Sequence, residues 1–543
     1  MDTNQATPKP FVPLPYHALL VEEAFPDTPN KRKSEDLLGH DLLYPSPKNK
    51  QFQERTRLFE EGKNSNGLDL LPEGMILKPQ PVDEEGEESR NMDPKRTDEE
   101  GVGEGVDRIS SVPRDALFTI ISKLGTKEGA KTQILSRNWK PLWHLSPLNL
   151  QVDAGLAEGE RKRIRTVDKI LSTHTGDGRR FCLRDTRIRN LYKQCNKWLE
   201  DRALNNLKEL DFHYKPAQSG KEQPLLPPSA LRFSSTLGIL SLGNCRFPVD
   251  GNYCLHFPEL KQFSLHSVTI SENALQGLLS GCTALESLLI LDCNGFHQIC
   301  LRSPSIRSIG VRSRFLSMRF QPDIILQELV IMDAPCLERL FTYPPQGPTI
   351  IRVSRAPKLQ VLGCLSDAIS KLEIGGMIFK EMIPTVLNAS MCMLKVLVLL
   401  STRPNLGAVL NLLQCCPCLE TFYVTLSVPR VNAADTQQLY LPGPIHCLGH
   451  HLKKIVIRGY QGSRQDIDFA NFFIVNARVL QILKFGVPKK FSDKWVAKQC
   501  KALLLNQKAS GDAKICFTYH YLLIEMDCER RTHDLTMLDP FDV

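Results

Sequence analysis

Apolar residues in this chain follow two different periods, with one changeover. Between Asp107 and Leu145 the period is helical: Leu117, Ile120, Ile121 and Leu124 fall at i, i+3, i+4 and i+7, the stripe of an amphipathic helix. Pro113 suits that helix's first turn, where its missing N–H costs nothing. Gly125 and Thr126 break the helix, and Thr126 is placed to cap a second one running through Ala130 toward Ile134 and Leu135. Trp139, Leu142 and Trp143 form a third short apolar face. Pro141 lacks a backbone N–H and is expected to kink or shorten that third helix. Three helices in about forty residues make too small a core to stand alone. Some of their apolar surface must therefore pack against the rest of the chain or against a partner.

Beyond Gln151 and a basic helical connector, "GERKRIRTVDKIL", a second pattern takes over: apolar, two residues, apolar, one residue, apolar. It reads Leu207/Leu210/Phe212, Leu237/Leu240/Leu242, Leu260/Phe263/Leu265, Leu285/Leu288/Ile290, Ile306/Ile309/Val311 and Leu326/Leu329/Ile331. Later copies are Leu394/Leu397/Leu399, Leu419/Phe422/Val424, Leu452/Ile455/Ile457 and Leu480/Leu483/Phe485. The alternating end of each copy predicts a short strand with one buried face. The first six copies start 30, 23, 25, 21 and 20 residues apart, the spacing of leucine-rich repeats. No copy closes a core by itself, so neighbours must stack into a solenoid. Pro or Gly in "FPEL", "GCTAL", "SPSI" and "CCPCL" turns the chain into the strand. Over 337–393 the frame blurs.

Composition adds a tail and removes several function classes. Residues 1–106 are rich in Pro and carry 22 Asp/Glu against 13 Lys/Arg, a balance of −9 within a chain whose net charge is +8. Such a segment buries too little apolar surface to offset the entropy of ordering it, so 1–106 is expected to be a disordered acidic tail. "NKRK" at Asn30–Lys33 is at most a minimal import signal. No stretch has the roughly 20 apolar residues that a membrane span needs, and the start lacks the pattern of a secretory signal. Seventeen scattered cysteines fit a reducing compartment, nucleus or cytoplasm, better than a disulfide framework. G-x-S-x-G, H-E-x-x-H and Walker sequences are absent, so no enzyme is expected. "CCPC" at Cys415–Cys418 and "HCLGHH" at His446–His451 lack the spaced ligand pairs of a zinc site and read as core and loop, with no metal or cofactor implied. "RKRIR" at Arg161–Arg165 has no interleaved aromatics and reads as a solvated helix face, which argues against nucleic acid as a partner.

"DRISSVPRDALFTIISKL" followed by "AKTQILSRNWKPLW" resembles the F-box of the plant F-box/leucine-rich-repeat family. "NKWLEDRALNNLKELDFHY" is similar to that family's connector into its first repeat. "HLKKIVIRGYQGSRQDIDFANFFIVNARVLQILKF" looks like the FBD region that closes many of these proteins. The resemblance covers roughly residues 107–525 and implies an α/β chain with a three-helix F-box (107–150), a helical connector (151–204), a leucine-rich-repeat horseshoe (205–439) and an FBD-like region (440–525); the acidic tail (1–106) and a C-terminal tail (526–543) lie outside it.

It also implies a job: the substrate-recognition subunit of an SCF-type (Skp–cullin–F-box) E3 ubiquitin ligase. The F-box would dock on a Skp-type adaptor, and through it a cullin–RING ligase, while the repeats bind a protein target. The alternative is a non-catalytic repeat scaffold with a degenerate F-box. Carried over position by position, the adaptor-binding residues are Val112, Pro113, Leu117, Ile121, Leu124, Ile134, Leu135, Arg137 and Trp139. Val112, Gly125 and Asn138 depart from the family's usual Leu, Pro and Arg. Val for Leu at 112 removes about one methylene of burial, on the order of 0.8 kcal/mol. Trp143 is expected to pack inward toward the connector, with Trp139 at the border between the small core and the adaptor.

Overall fold

A computed structural model describes residues 112–542, apart from 138, 185–190, 217–221, 249–254, 314–323, 345–346, 367, 381–382, 387–389, 402–405, 427–442, 444 and 520–526. The predicted disordered tail, 1–106, lies outside the described residues. Helices α1 (Arg114–Lys123) and α2 (Thr126–Lys131), a 3-10 turn (Thr132–Ile134) and α3 (Trp139–Leu145) come first. Next are β1 (Leu148–Gln151), α4 (Glu160–Thr173), β2 (Gly178–Leu183), α5 (Leu191–Leu199), β3 (Glu209–His213), β4 (Ile239–Gly243), β5 (Gln262–His266) and α6 (Glu272–Gly281). Strands dominate the middle: β6 (Ser287–Cys293), β7 (Gln298–Arg302), β8 (Ser308–Ser313), β9 (Glu328–Asp333), β10 (Arg339–Thr342), β11 (Ile350–Val353), β12 (Val361–Ser366), β13 (Lys371–Ile374), β14 (Met377–Lys380), β15 (Ile383–Val386) and β16 (Val396–Ser401). The chain ends with α7 (Leu406–Gln414), β17 (Thr421–Leu426), α8 (His446–His450), β18 (Lys454–Arg458), α9 (Arg464–Asn476), β19 (Ile482–Val487), α10 (Asp493–Ala502), β20 (Lys514–Tyr519) and α11 (Cys528–His533). Among the described residues no helix is long and apolar enough to cross a membrane.

Fourteen strands form one parallel sheet in the order β1-β2-β3-β4-β5-β6-β8-β10-β12-β16-β17-β18-β19-β20. The apolar triplets set its register. Leu210 pairs with Leu240, Leu240 with Phe263, Phe263 with Leu288 and Leu288 with Ile309, so identical positions stack into rows. These rows, and residues of α6, α7 and α9, belong to one continuous core that extends from Leu117 to Leu503. Each strand buries its triplet because the next strand and the chain's return path cover it, as stacking requires.

The chain's middle departs from the single frame. Leu326/Leu329/Ile331 is buried as expected, but its strand, β9, pairs with β7 and β11 in a second sheet, ordered β15-β14-β13-β11-β9-β7. Phe296/Ile299/Leu301 and Ile369/Leu372/Ile374 are further buried copies there. Both sheets face one core, so the same spacing serves both and sequence alone does not separate them. The main sheet's own copies in this stretch are Leu337/Leu340/Thr342 and Leu359/Leu362/Leu365. Thr342 puts a hydroxyl where an apolar residue is expected. A bulge after Leu362, with Cys364 at φ 61°, inserts one extra residue into the other copy. Those two substitutions are why the frame blurs over 337–393. On its exposed side the second sheet carries a charge ladder, with Arg352 2.6 Å from Glu328 and 3.5 Å from Glu373.

Three smaller expectations need correction. The 151–204 connector is not wholly helical: β2 lies within it and, with β1, adds two rungs ahead of the first copy read from sequence. Phe181 and Leu183 align with Leu210 and Phe212 there. Thr126 does not cap α2, whose N-cap is Gly125; its hydroxyl instead donates to the Asn149 carbonyl and accepts from the Gln151 N–H, each at 2.7 Å. Arg163 of "RKRIR" turns inward, donating to the carbonyls of Asp153 and Ala157 at 2.7 and 3.2 Å.

If both sheets close one core, Leu329→Ala in β9 and Leu340→Ala in β10 each remove a fully buried side chain. Each substitution is expected to cost about 2–5 kcal/mol, read as comparable falls in the urea unfolding midpoint.

Candidate functional site

Two surfaces stand out. The first is the α1–α3 unit. Its core is Leu117, Ile121, Trp139, Leu142 and Trp143, all under 7% exposed. Trp143 packs edge-on against His174 at the end of α4, with ring centroids 5.3 Å apart, as expected of an inward-facing residue. His174 Nε2 lies 2.8 Å from the Ser146 carbonyl, and burial lowers the imidazole's pKa. Pro141 falls in the first turn of α3, where its missing N–H costs no intrahelical bond, and the helix runs on through it to Leu145. The unit is fastened to the sheet by Thr126 and by Asn149, which donates to the Leu124 carbonyl at 3.0 Å.

The nine residues proposed to meet an adaptor divide into three groups. Leu117, Ile121 and Trp139 are buried inside the chain's own core. Trp139 is therefore core and not the border that the sequence suggested. Pro113, Ile134, Leu135 and Arg137 are exposed, and Val112 and Leu124 are half-buried. Ile134 is 84% exposed and Leu135 57%, a large amount of apolar surface left in water. Ile120, in the helical stripe but not among those nine residues, is 49% exposed. Its place in the i, i+3, i+4 stripe pointed to the core, but the neighbouring Ile121 takes that position.

The second surface is the outer face of the parallel sheet. The residue between the last two apolars of each triplet points away from the core. Across the ladder this outer row reads Asp211, Ser241, Ser264, Leu289, Gly310, Phe341 and Gly363, then Val398, Tyr423, Val456, Lys484 and Cys516. It is polar at both ends and apolar in the middle. Leu289, Leu291, Phe341, Tyr343, Val361, Val396, Val398, Tyr423 and Val456 form a second buried cluster with Cys528 and Phe541. The C-terminal stretch, expected to be a tail, is thus the cover of this face.

Its polar contacts follow the ladder. Near the first end, Glu529 lies 3.0 Å from Arg184 and 3.1 Å from His266. Those two groups hold its carboxyl well below the usual carboxylate range, His266 having the larger effect and burial opposing both. His533 lies 2.7 Å from the hydroxyls of both Ser264 and Ser287, and burial lowers its pKa to about 4. Thr532 bonds the Tyr343 hydroxyl at 2.9 Å. Gly310 leaves room here, since a Cβ would stand 2.5 Å from the Thr532 hydroxyl. Further along, the Arg339 guanidinium, 5% exposed, donates to the main-chain carbonyls of Asp534 (2.8 Å), Leu535 (3.0 Å) and Met537. Phe541 packs on Phe341 and Tyr423, and Tyr423 donates to Asp539 at 2.7 Å. Beside α11 a pocket of about 450 Å³ stays open, lined by Arg180, Asp211, Ser241, Ser264 and Glu529 among others.

The clusters read from sequence as core and loop are not brought into a metal site: among the described residues no group of His, Cys, Asp or Glu has metal-holding geometry. Cys416 and Cys447 are fully buried, and burial pushes the Cys447 thiol up to about 12.

Comparison with known proteins adds the following. The family described as FBD-associated F-box protein At5g56370, LRR repeats, matches residues 195–424, and the FBD family matches 442–485. F-box/FBD/LRR-repeat protein At5g56420 of Arabidopsis thaliana is 28% identical over 43% of this chain; the match spans about half of that relative, 54%. Putative F-box/FBD/LRR-repeat protein At5g56810 of the same plant is 25% identical over 69% of this chain and 88% of its own length. FBD-associated F-box protein At5g60610, also from that plant, is 28% identical over 69% of this chain and 98% of its own length.

Two outcomes are expected. Trp143→Ala should destabilise the fold by about 3–5 kcal/mol, whereas Ile134→Ala should stay within about 0.5 kcal/mol of wild type, both read by denaturant unfolding. Docking of 527–542 should also weaken in acid. When released, His533 takes up a proton below its ordinary pKa of 6.5, but when docked it takes one up only near 4. Protons therefore favour release as the pH falls through that window. The depressed Glu529 acts in the same direction from its ordinary 4.5 downward. Hydrogen-exchange protection of 527–542, corrected for intrinsic rates, should be complete above about pH 6.5 and fall toward pH 4. His533→Asn should flatten that fall.

Proposed function

We propose that this chain, which resembles the FBD-associated F-box/leucine-rich-repeat proteins of plants, is a non-catalytic substrate-recognition subunit of an SCF-type E3 ubiquitin ligase, working in the nucleus or cytoplasm. In this reading α1–α3 are the F-box and dock on a Skp-type adaptor, which links them to a cullin–RING ligase. The parallel ladder is a leucine-rich-repeat horseshoe, and its strands past β17 continue it through the FBD. Its outer face holds the protein to be ubiquitinated.

The observation that carries the reading is the apolar surface of the helical unit. Ile120, Ile134, Leu135 and Leu145 supply four of the eleven large apolar side chains exposed among the described residues, all within positions 120–145. Burying Ile134 and Leu135 against a partner would contribute about 1.5–3 kcal/mol each. Val112, Pro113, Leu124 and Arg137 frame that contact, while Leu117, Ile121 and Trp139 hold its shape from beneath.

Co-purification with a Skp-type adaptor tests this. Ile134→Asp with Leu135→Asp should weaken capture at least about tenfold while leaving the thermal midpoint unchanged, because neither side chain is in the core. If the wild-type chain fails to capture the adaptor, the ligase reading falls and a repeat scaffold with a degenerate F-box remains.

A further inference from the structure

The middle of the outer face is a groove that seats residues 527–542, helix α11 and the turns that follow it. Its contacts with residues 527–542 fall into three kinds. Arg339 grips three carbonyl oxygens within four residues, those of Asp534, Leu535 and Met537 in the turn after α11, contacts that involve main chain alone. Leu538, within the gripped stretch, is 94% exposed, so its identity is not read. Past α11, the large side chain seated deeply is Phe541, at 1% exposure. It lies between Phe341 and Tyr423 and over Gly363, where a Cβ would stand 2.7 Å from its ring. The rim beside that slot is cationic. Lys454 and Arg458 lie 5.5 and 5.3 Å from the Tyr423 ring centroid, and Lys454 meets Asp542 at 2.6 Å and Asp539 at 3.9 Å.

The resident segment satisfies this groove incompletely. Arg531 of α11 is 7% exposed and lies over the Phe541 ring at 5.0 Å. Its buried Nη1 has no hydrogen-bond partner among the described residues, and the same holds for Arg458 Nη1 and for Thr425 Oγ1. Thr425 and Arg458 are register partners on neighbouring strands. A buried guanidinium nitrogen without an acceptor is costly, and two cationic side chains facing one region oppose each other. A segment lacking Arg531 and bringing a further carboxylate to this rim would fit better than the one present.

We infer that this groove is a peptide site for a protein target carrying a phenylalanine flanked by carboxylates, and that residues 527–542 hold it in cis until such a segment displaces them. The inference rests on reading the outer face as the target-binding surface and is independent of adaptor docking. The covering segment lowers apparent affinity by the fraction of time it occupies the groove.

A fluorescent peptide of residues 534–542, "DLTMLDPFD", tests this on the full-length chain by anisotropy. Phe541→Ala should bind the peptide about tenfold or more tighter than wild type. Adding Lys454→Glu should abolish that gain, as should replacing the peptide's phenylalanine by alanine. A folded Phe541→Ala chain, with wild-type circular dichroism, that shows no gain overturns the proposal. Hydrogen exchange on the wild type decides the matter even if that variant does not fold. Amides of 527–542 should exchange through an opening that leaves β16–β18 protected. Exchange of the segment only together with those strands would make it a fixed part of the core and overturn the proposal. Neither measurement includes an adaptor, so loss of adaptor binding and loss of peptide binding remain separate results.

Discussion

Parallel strands joined by crossovers expose two faces, and both need cover when both carry apolar residues. On the inner face of this fourteen-stranded ladder, Leu210, Leu240, Phe263, Leu288 and Ile309 stack in register and are closed over by the returning chain. On the outer face between β6 and β18, Leu289, Phe341, Val398, Tyr423 and Val456 would meet water if residues 527–542 were not seated on them. The inner closure is local, made by each repeat against its neighbours. The outer closure is made across the chain, since Phe541 lies 200 residues beyond Phe341 and a single segment covers several rungs.

That difference bears on function. A core made of stacked neighbours is cooperative and cannot open at one rung without exposing the next. The cover is held from one side by Arg339's bonds to carbonyls, the His533 and Thr532 bonds, one aromatic slot and a few ion pairs, and none of its residues is a rung of the ladder. The residues meeting it include buried polar atoms with no hydrogen-bond partner among the described residues, Arg458 Nη1 and Thr425 Oγ1. The helical unit has a similar division: Trp143 and His174 bind it to the body of the chain, while Ile134 and Leu135 stay in solvent. Both surfaces are positioned by rigid elements, as recognition requires.

The ladder was legible because its signal is redundant. Leu-x-x-Leu-x-Leu recurs often enough that one faulty copy does not hide the rest. Legibility failed where chemistry substituted for the pattern: Thr342 replaced an apolar residue by one that bonds the backbone, and the bulge at Cys364 shifted the frame by one. The second sheet was hidden for another reason: Leu326/Leu329/Ile331 has the same spacing as its main-sheet neighbours. In the helical unit, periodicity marked the apolar stripe but could not say which of its members meet the core: Ile120 is left in solvent and Trp139, expected at the border, is buried.

The sequence by itself determined the strand units, the single buried row of each and the helical stripe ahead of them. Those depend on local spacing, and spacing fixes which side chains share a face. Only the tertiary structure decided which sheet each strand joins, which tryptophan-bearing face is core, and what covers the outer side. Those depend on contacts between residues far apart in the chain. "DLTMLDPFD" reads as part of a C-terminal tail because nothing in its own composition shows that Phe341, Tyr423 and Gly363 have left a slot for one phenylalanine.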